Sequence, residues 1–182
     1  SINRVDGKIL WSQEVEARPP MADYGGGQVN LHGYASSTPT TDGENIYVFF
    51  GRSGVLAFDV SGKPLWQTAV GDGTHRWGSA TSPILYKDLV IVNASVESES
   101  VAALDKKTGR EVWRVRGIPR SWSTPLIVDV PNGPQELVVS MYNKIVGLDP
   151  ASGDQFWQCA GVQDYTCPAV IAHEGIVYVT AG

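Results

Sequence analysis

Two markers recur along this chain with a single period, and together they leave few folds open. The first is a turn begun by Asp or Asn, closed by Gly, with Trp four residues after the Gly. It runs from Asn3 through Gly7 to Trp11, and from Asp59 through Gly62 to Trp66. It recurs from Asp105 through Gly109 to Trp113, and from Asp149 through Gly153 to Trp157. The second marker is Thr38-Pro39, Ser82-Pro83, Thr124-Pro125 and Cys167-Pro168, with prolines spaced 44, 42 and 43 residues apart. A period of this length with several short strands per repeat indicates propeller blades.

The third unit is the clearest. It reads as strands over 123–129, 136–142, 144–148 and 155–160, with Pro131, Asn132, Gly133 and Pro134 marking the first turn. The first unit gives strands over 39–41, 46–50, 54–58 and 64–68, and the second over 83–86, 89–94, 100–104 and 111–115. Residues 2–13 supply the end of a third strand and a fourth strand, while 168–172 and 176–180 supply a first and a second. The expectation is an all-β, four-stranded-blade β-propeller segment spanning 1–182: three complete blades and the two complementary parts of another. No segment has helical periodicity long enough to compete.

Each marker has a physical task. Asp59, Asp105 and Asp149 can hydrogen-bond their own backbone two residues on, and Gly tolerates positive φ. Recurrence at one structural position favours turn formation over catalysis for these acids. Trp11, Trp66, Trp113 and Trp157 each offer a large apolar face and one N–H needing an acceptor, so each can seal a blade against its neighbour. Proline at a strand start removes the donor that costs least.

A formal net charge of −5 and the lack of any Lys/Arg run argue against nucleic acid and against electrostatic membrane attachment. No apolar stretch approaches the roughly 18 residues of a transmembrane helix, and the chain carries no export signal of its own. Cys159 and Cys167 form no metal-ligand pattern and read as two free thiols. No metal site is expected. Asn93-Ala94-Ser95 matches a glycosylation sequon but falls within an inner strand.

The runs Ala103-Leu104-Asp105, Thr108-Gly109 and Trp113, repeated as Gly147-Leu148-Asp149, Ser152-Gly153 and Trp157, resemble the tryptophan-docking motif of quinoprotein-type β-propellers. Those repeats occur in PQQ-dependent dehydrogenases and in BamB-like assembly lipoproteins. The resemblance implies an eight-bladed ring, of which this chain is about half, and an extracytoplasmic location. Its dehydrogenase members imply PQQ, calcium, an Asp base, Glu and Asn metal ligands and adjacent cysteines. Here Cys159 and Cys167 are eight positions apart and no matching acid set is evident, so no cofactor is expected and the reading leans away from an enzyme.

Function in a propeller sits on loops near the channel. The segments joining one blade to the next deliver Tyr34, Trp77, Trp122 and Tyr165, with His75, Arg76, Arg120 and Asp164 beside them. Such a ring suits a planar or anionic ligand; the plainer reading is that the rings pack between blades and the charges pair across the channel. A longer linker holding Gly25, Gly26 and Gly27 reads as a loop insertion, since phosphate loops need a following helix and a Lys. The leading function is a non-catalytic binding or scaffolding module engaging a protein or extended ligand at strand edges or the channel mouth. Part of a PQQ- and calcium-dependent dehydrogenase, or a sensor domain of a larger receptor, are the alternatives. Two copies could also associate to close a ring.

Overall fold

The computed structural model describes residues 1–19 and 36–181, and within them strands dominate. β1 (Thr40–Thr41), β2 (Asn45–Phe49), β3 (Val55–Asp59) and β4 (Pro64–Thr68) form one antiparallel sheet in chain order. β5 (Ile84–Tyr86), β6 (Leu89–Ala94), β7 (Ser100–Asp105) and β8 (Glu111–Arg116) form a second. β9 (Leu126–Val128), β10 (Glu136–Met141), β11 (Lys144–Leu148) and β12 (Gln155–Ala160) form a third. A hairpin of β13 (Ile171–His173) and β14 (Ile176–Tyr178) follows, while Ile2 and Ile9 make an isolated bridge near the N-terminus. The molecule is an all-β partial propeller.

In each full sheet the third-to-fourth strand register shifts at the same place, between Ala57 and Phe58, Ala103 and Leu104, and Gly147 and Leu148. This bulge lies just before the Asp turn and aims the following Trp. The turns close alike: Gly7, Gly62, Gly109 and Gly153 donate their N–H to the carbonyls of Asn3, Asp59, Asp105 and Asp149. Their side-chain oxygens accept from Val5 N, Ser61 N, Thr108 N and Ala151 N respectively.

Each of the first three tryptophans lies on the next unit's turn. Trp11 Nε1 donates to Val60 O at 3.0 Å, Trp66 to Lys106 O at 2.8 Å, and Trp113 to Pro150 O at 3.3 Å. Every acceptor is the residue after the turn-opening Asp. The indoles rest on the turn glycines so closely that a Cβ at Gly62, Gly109 or Gly153 would come within 2.6, 2.6 and 2.9 Å of the ring. These glycines therefore serve both as turn residues, at φ +91°, +70° and +80°, and as seats for the indole.

Trp157 departs from the expected uniformity. Its Nε1 reaches Glu136 Oε2 of its own sheet, at 2.5 Å, and its ring lies over Gly147. Among the described residues, the β13–β14 unit that follows offers no Asp-turn-Gly connection for it to cover.

The apolar cores lie between sheets. Tyr47, Phe49, Val55 and Ala57 of the first sheet pack on Val90, Val92, Ala94, Ala102 and Leu104 of the second. Ile91, Val101, Ala103 and Trp113 then pack on Leu137, Val139, Met141, Val146 and Leu148 of the third. Alternation along each strand sends odd and even residues to opposite neighbours, so a one-residue slip would exchange both cores at once.

One local expectation is corrected. The first strands begin later than the prolines, at Thr40, Ile84, Leu126 and Ile171, and before the first two of them backbone donors bond across blades. Thr38 N donates to Ser82 Oγ at 2.9 Å, and Ser82 N to Thr124 Oγ1 at 3.0 Å, a relay that takes those donors out of the ladder. The second-to-third strand connections of the first two sheets hold single helical turns, a 3₁₀ turn at Gly51–Ser53 and α1 (Ser95–Ser98). Single turns carry no periodicity for a sequence to display.

Candidate functional site

Strand direction alternates within each antiparallel blade, so the linker leaving a fourth strand and the connection between second and third strands lie at one end of the sheet. At that end three successive linkers meet, and they bring four rings into one cluster. His75 lies 5.5 Å from Trp77 and 4.9 Å from Trp122, with Trp77 and Trp122 at 5.4 Å. Tyr165 stands 4.4 Å from Trp77 and 5.6 Å from Trp122. The edge-to-face and tilted angles suit aromatic quadrupoles.

Backbone contacts fix the arrangement. Trp122 is buried, its Nε1 donating to Gly78 O at 2.8 Å and its N–H to Thr166 O at 2.8 Å. One residue therefore ties together the linkers holding Trp77 and Tyr165. The Trp77 N–H donates to His75 Nδ1 at 3.2 Å, which requires an unprotonated nitrogen there. Burial, then the charges of Arg76 and Arg120, hold the His75 pKa below its ordinary value. A depressed histidine pKa favours the fold above the unfolded value, and this contribution fades as pH falls through the folded value.

Arg76 lies 5.7 Å from the Trp77 ring centroid, and Arg120 lies 5.0 Å from that of Tyr142. Arg120 adopts φ +49°, a conformation that costs a β-carbon residue about 1–3 kcal/mol. Both guanidiniums are exposed, and among the described residues neither joins an ion pair, so the charges meet rings and solvent rather than each other's counter-ions. Asp164 is exposed and accepts from the Tyr165 N–H at 2.7 Å, entering the cluster only through its neighbour. Tyr34 and Gly25 to Gly27 lie outside the described residues.

Beneath the rings runs a belt of buried polar groups that sequence reasoning missed. Asn93 donates through Nδ2 to Ser121 Oγ at 2.7 Å and to Ser123 O at 2.9 Å, while its Oδ1 accepts from Ser95 N. Ser121 Oγ donates onward to Ser140 O at 2.6 Å. Asn93 is 1% exposed, which closes the sequon to modification in the folded state. The usable signal was a polar residue inside an otherwise apolar strand. Asn93→Ala leaves these buried partners unsatisfied and should cost about 1–3 kcal/mol, read from chemical denaturation midpoints.

Among the described residues no group of three or more His, Cys, Asp or Glu is placed to hold a metal. Cys159 and Cys167 are free and exposed, and burial followed by the Asp164 charge raises the Cys167 thiol pKa.

A family profile described as outer membrane protein assembly factor BamB matches residues 1–182. Among solved structures, BamB from Moraxella catarrhalis is 17% identical with a TM-score of 0.61, over 80% of this chain and 46% of that one. This chain thus spans less than half the length of that relative. Quinohemoprotein alcohol dehydrogenase from Comamonas testosteroni is 19% identical with a TM-score of 0.53, over 70% of this chain and 21% of that one. The computationally designed Ika4 protein is 18% identical with a TM-score of 0.55, over 94% and 93%. These likenesses show the fold. No curated protein sequence matches.

Proposed function

The chain belongs to the PQQ-repeat propeller family of outer membrane protein assembly factor BamB, and on that premise we propose that it is a non-catalytic binding module. It engages an extended polypeptide ligand at the end where the inter-blade linkers converge. The observation that carries this reading is the joined cluster of His75, Trp77, Trp122 and Tyr165, flanked by the exposed cations Arg76 and Arg120. The half-buried rings of His75, Trp77 and Tyr165 supply contact area at low entropic cost, while the exposed guanidiniums supply charge-assisted hydrogen bonds to carboxylates. In a chain of net charge −5, two such cations at one end favour an acidic segment. An extracytoplasmic location, as the family's role in outer-membrane assembly indicates, belongs to the same proposal.

The test is a peptide array carrying acidic, neutral and basic extended sequences, followed by titration of any binder against tryptophan fluorescence. Binding should favour acidic sequences and fall at least about tenfold in Arg76→Ala/Arg120→Ala, as loss of two charge-assisted contacts requires. Far-UV circular dichroism should stay unchanged. No binder, or binders indifferent to both substitutions, would remove the proposal. Dye-linked alcohol or sugar oxidation on adding PQQ and Ca²⁺ would replace it with the dehydrogenase reading.

A further inference from the structure

The 73–79 segment of the linker that carries His75, Arg76 and Trp77 meets the second blade at Glu97 near both its ends. The carboxyl Oε1 of Glu97 accepts a hydrogen bond from Ser79 Oγ, at the far end of the loop. The Glu97 carbonyl accepts from Gly73 N at 2.9 Å, at the near end. The backbone of the linker lies flush on α1, and Cβ atoms at Gly71 and Gly73 would come within 2.2 Å of Glu97 O and 2.4 Å of Val96 O. On its other side Oε1 lies 3.2 Å from where a Cβ of Gly51 would sit, at the 3₁₀ turn of the first blade. Glu97 is 4% exposed, and among the described residues its Oε2 has no hydrogen-bond partner.

We propose that Glu97 is a proton-operated latch: its neutral carboxyl holds the 73–79 loop against α1, and its ionisation releases the loop and the rings it carries. A neutral carboxyl tolerates this dry position, whereas an ionised one leaves a charged oxygen there without a donor. Water or donors can reach that oxygen only if the loop lifts. Burial outweighs the opposing hydrogen bonds from Ser79 and the backbone and raises the Glu97 pKa to about 7, with no cation among the causes. The charged groups on the surrounding elements are Arg52 on the 3₁₀ turn, Asp72, His75 and Arg76 on the linker, Glu99 after α1, and Arg114. Arg114 instead binds Glu111, Val70 O, Ser98 Oγ and Ser100 Oγ. His75 titrates with the opposite sense, loosening the cluster towards acid, so the two transitions are separable.

The sign follows from the raised pKa. The folded state holds the proton more tightly than the unfolded chain, so the latch is fully closed at low pH and opens as pH rises through about 7. Hydrogen exchange of peptides covering 71–79, corrected for intrinsic pH dependence and run without ligand, reads the latch directly. Protection in the native protein should drop several-fold on passing from well below to well above about pH 7. Glu97→Gln should show no drop as pH rises through this range, since its amide stays neutral, and should keep only the opposite, acid-side loosening from His75. Ser79→Ala removes both the far-end tether and a bond that favours the charged form, so protection should be lower throughout and the midpoint of the remaining drop should move upward, which serves if the Gln variant fails to fold. Protection that does not drop as pH rises in the native protein, or such a drop retained by Glu97→Gln, overturns the latch; so does an unmoved midpoint in Ser79→Ala. Because no ligand enters the assay, the latch can fail while the binding function stands, and the reverse also holds.

Discussion

Replacing Trp113 with alanine should destabilise the protein by about 3–5 kcal/mol, the range for removing a buried aromatic side chain. Trp113 is 8% exposed and sits between the second and third sheets, within the core that includes Ile91, Val101, Leu137 and Leu148. The substitution removes three things: apolar contact area, the donor to Pro150 O, and the cover over Gly153. Its neighbours belong to two separate strand meanders that cannot close around the cavity without shifting the blade interface. The loss should therefore lie at the upper end of that range. Urea denaturation monitored by circular dichroism checks it, and a shift under about 1 kcal/mol would mean that the indole is peripheral.

Gly109→Ala should be the next most damaging change, through a different mechanism. The added Cβ would stand 2.6 Å from Trp66 Cδ2 and Cε3 and 2.8 Å from Thr68 Oγ1, at a backbone φ of +70°. Left-handed φ on a residue with a β-carbon costs about 1–3 kcal/mol, and overpacking a closed site typically costs about 1–3 kcal/mol more. Gly7→Ala provides the comparison: φ there is +73°, but no atom lies within 4 Å of the added carbon. Thermal denaturation of the two variants should show that the backbone term is common to both and that the steric term belongs to Gly109 alone.

The blade pattern was legible because its markers are local. The Asp turn, the Gly and the Trp lie within a few residues, so repetition exposes them even where Asp59 to Gly62 is one residue shorter than the other turns. Gly62 still lies against the Trp11 ring across that shorter turn. The second duty of these glycines was hidden, since the ring that fills the space above each comes from the preceding unit. Trp157 shows the same limit: its sequence surroundings match Trp113, while its partner Glu136 lies in its own blade.

At the linkers, sequence reasoning named His75, Trp77, Trp122 and Tyr165 individually, and only the fold shows them in mutual contact. Pairing of the linker charges across the channel was the plainer expectation; among the described residues Arg76 and Arg120 join no ion pair and lie near rings. Glu97 gave no signal at all. A glutamate beside Ser98 and Glu99 reads as a solvated turn, and its burial comes from a linker some 20 positions earlier in the chain and from the first blade. Long-range burial of a single polar group is the kind of information a repeat pattern does not carry.

The central claim is that each indole joins two blades by resting on the glycine of the next turn. A double-mutant cycle between Trp66→Ala and Gly109→Ala tests it most directly, by urea denaturation of the native protein, both single variants and the double variant. With the ring gone the added Cβ loses its two closest clashes and meets only Thr68 Oγ1, so the double variant should be more stable than the sum of the single losses implies, by at least about 1 kcal/mol. Losses that add to within about 0.5 kcal/mol would show that the ring and the glycine do not meet, and the account of how these blades hold together would be wrong.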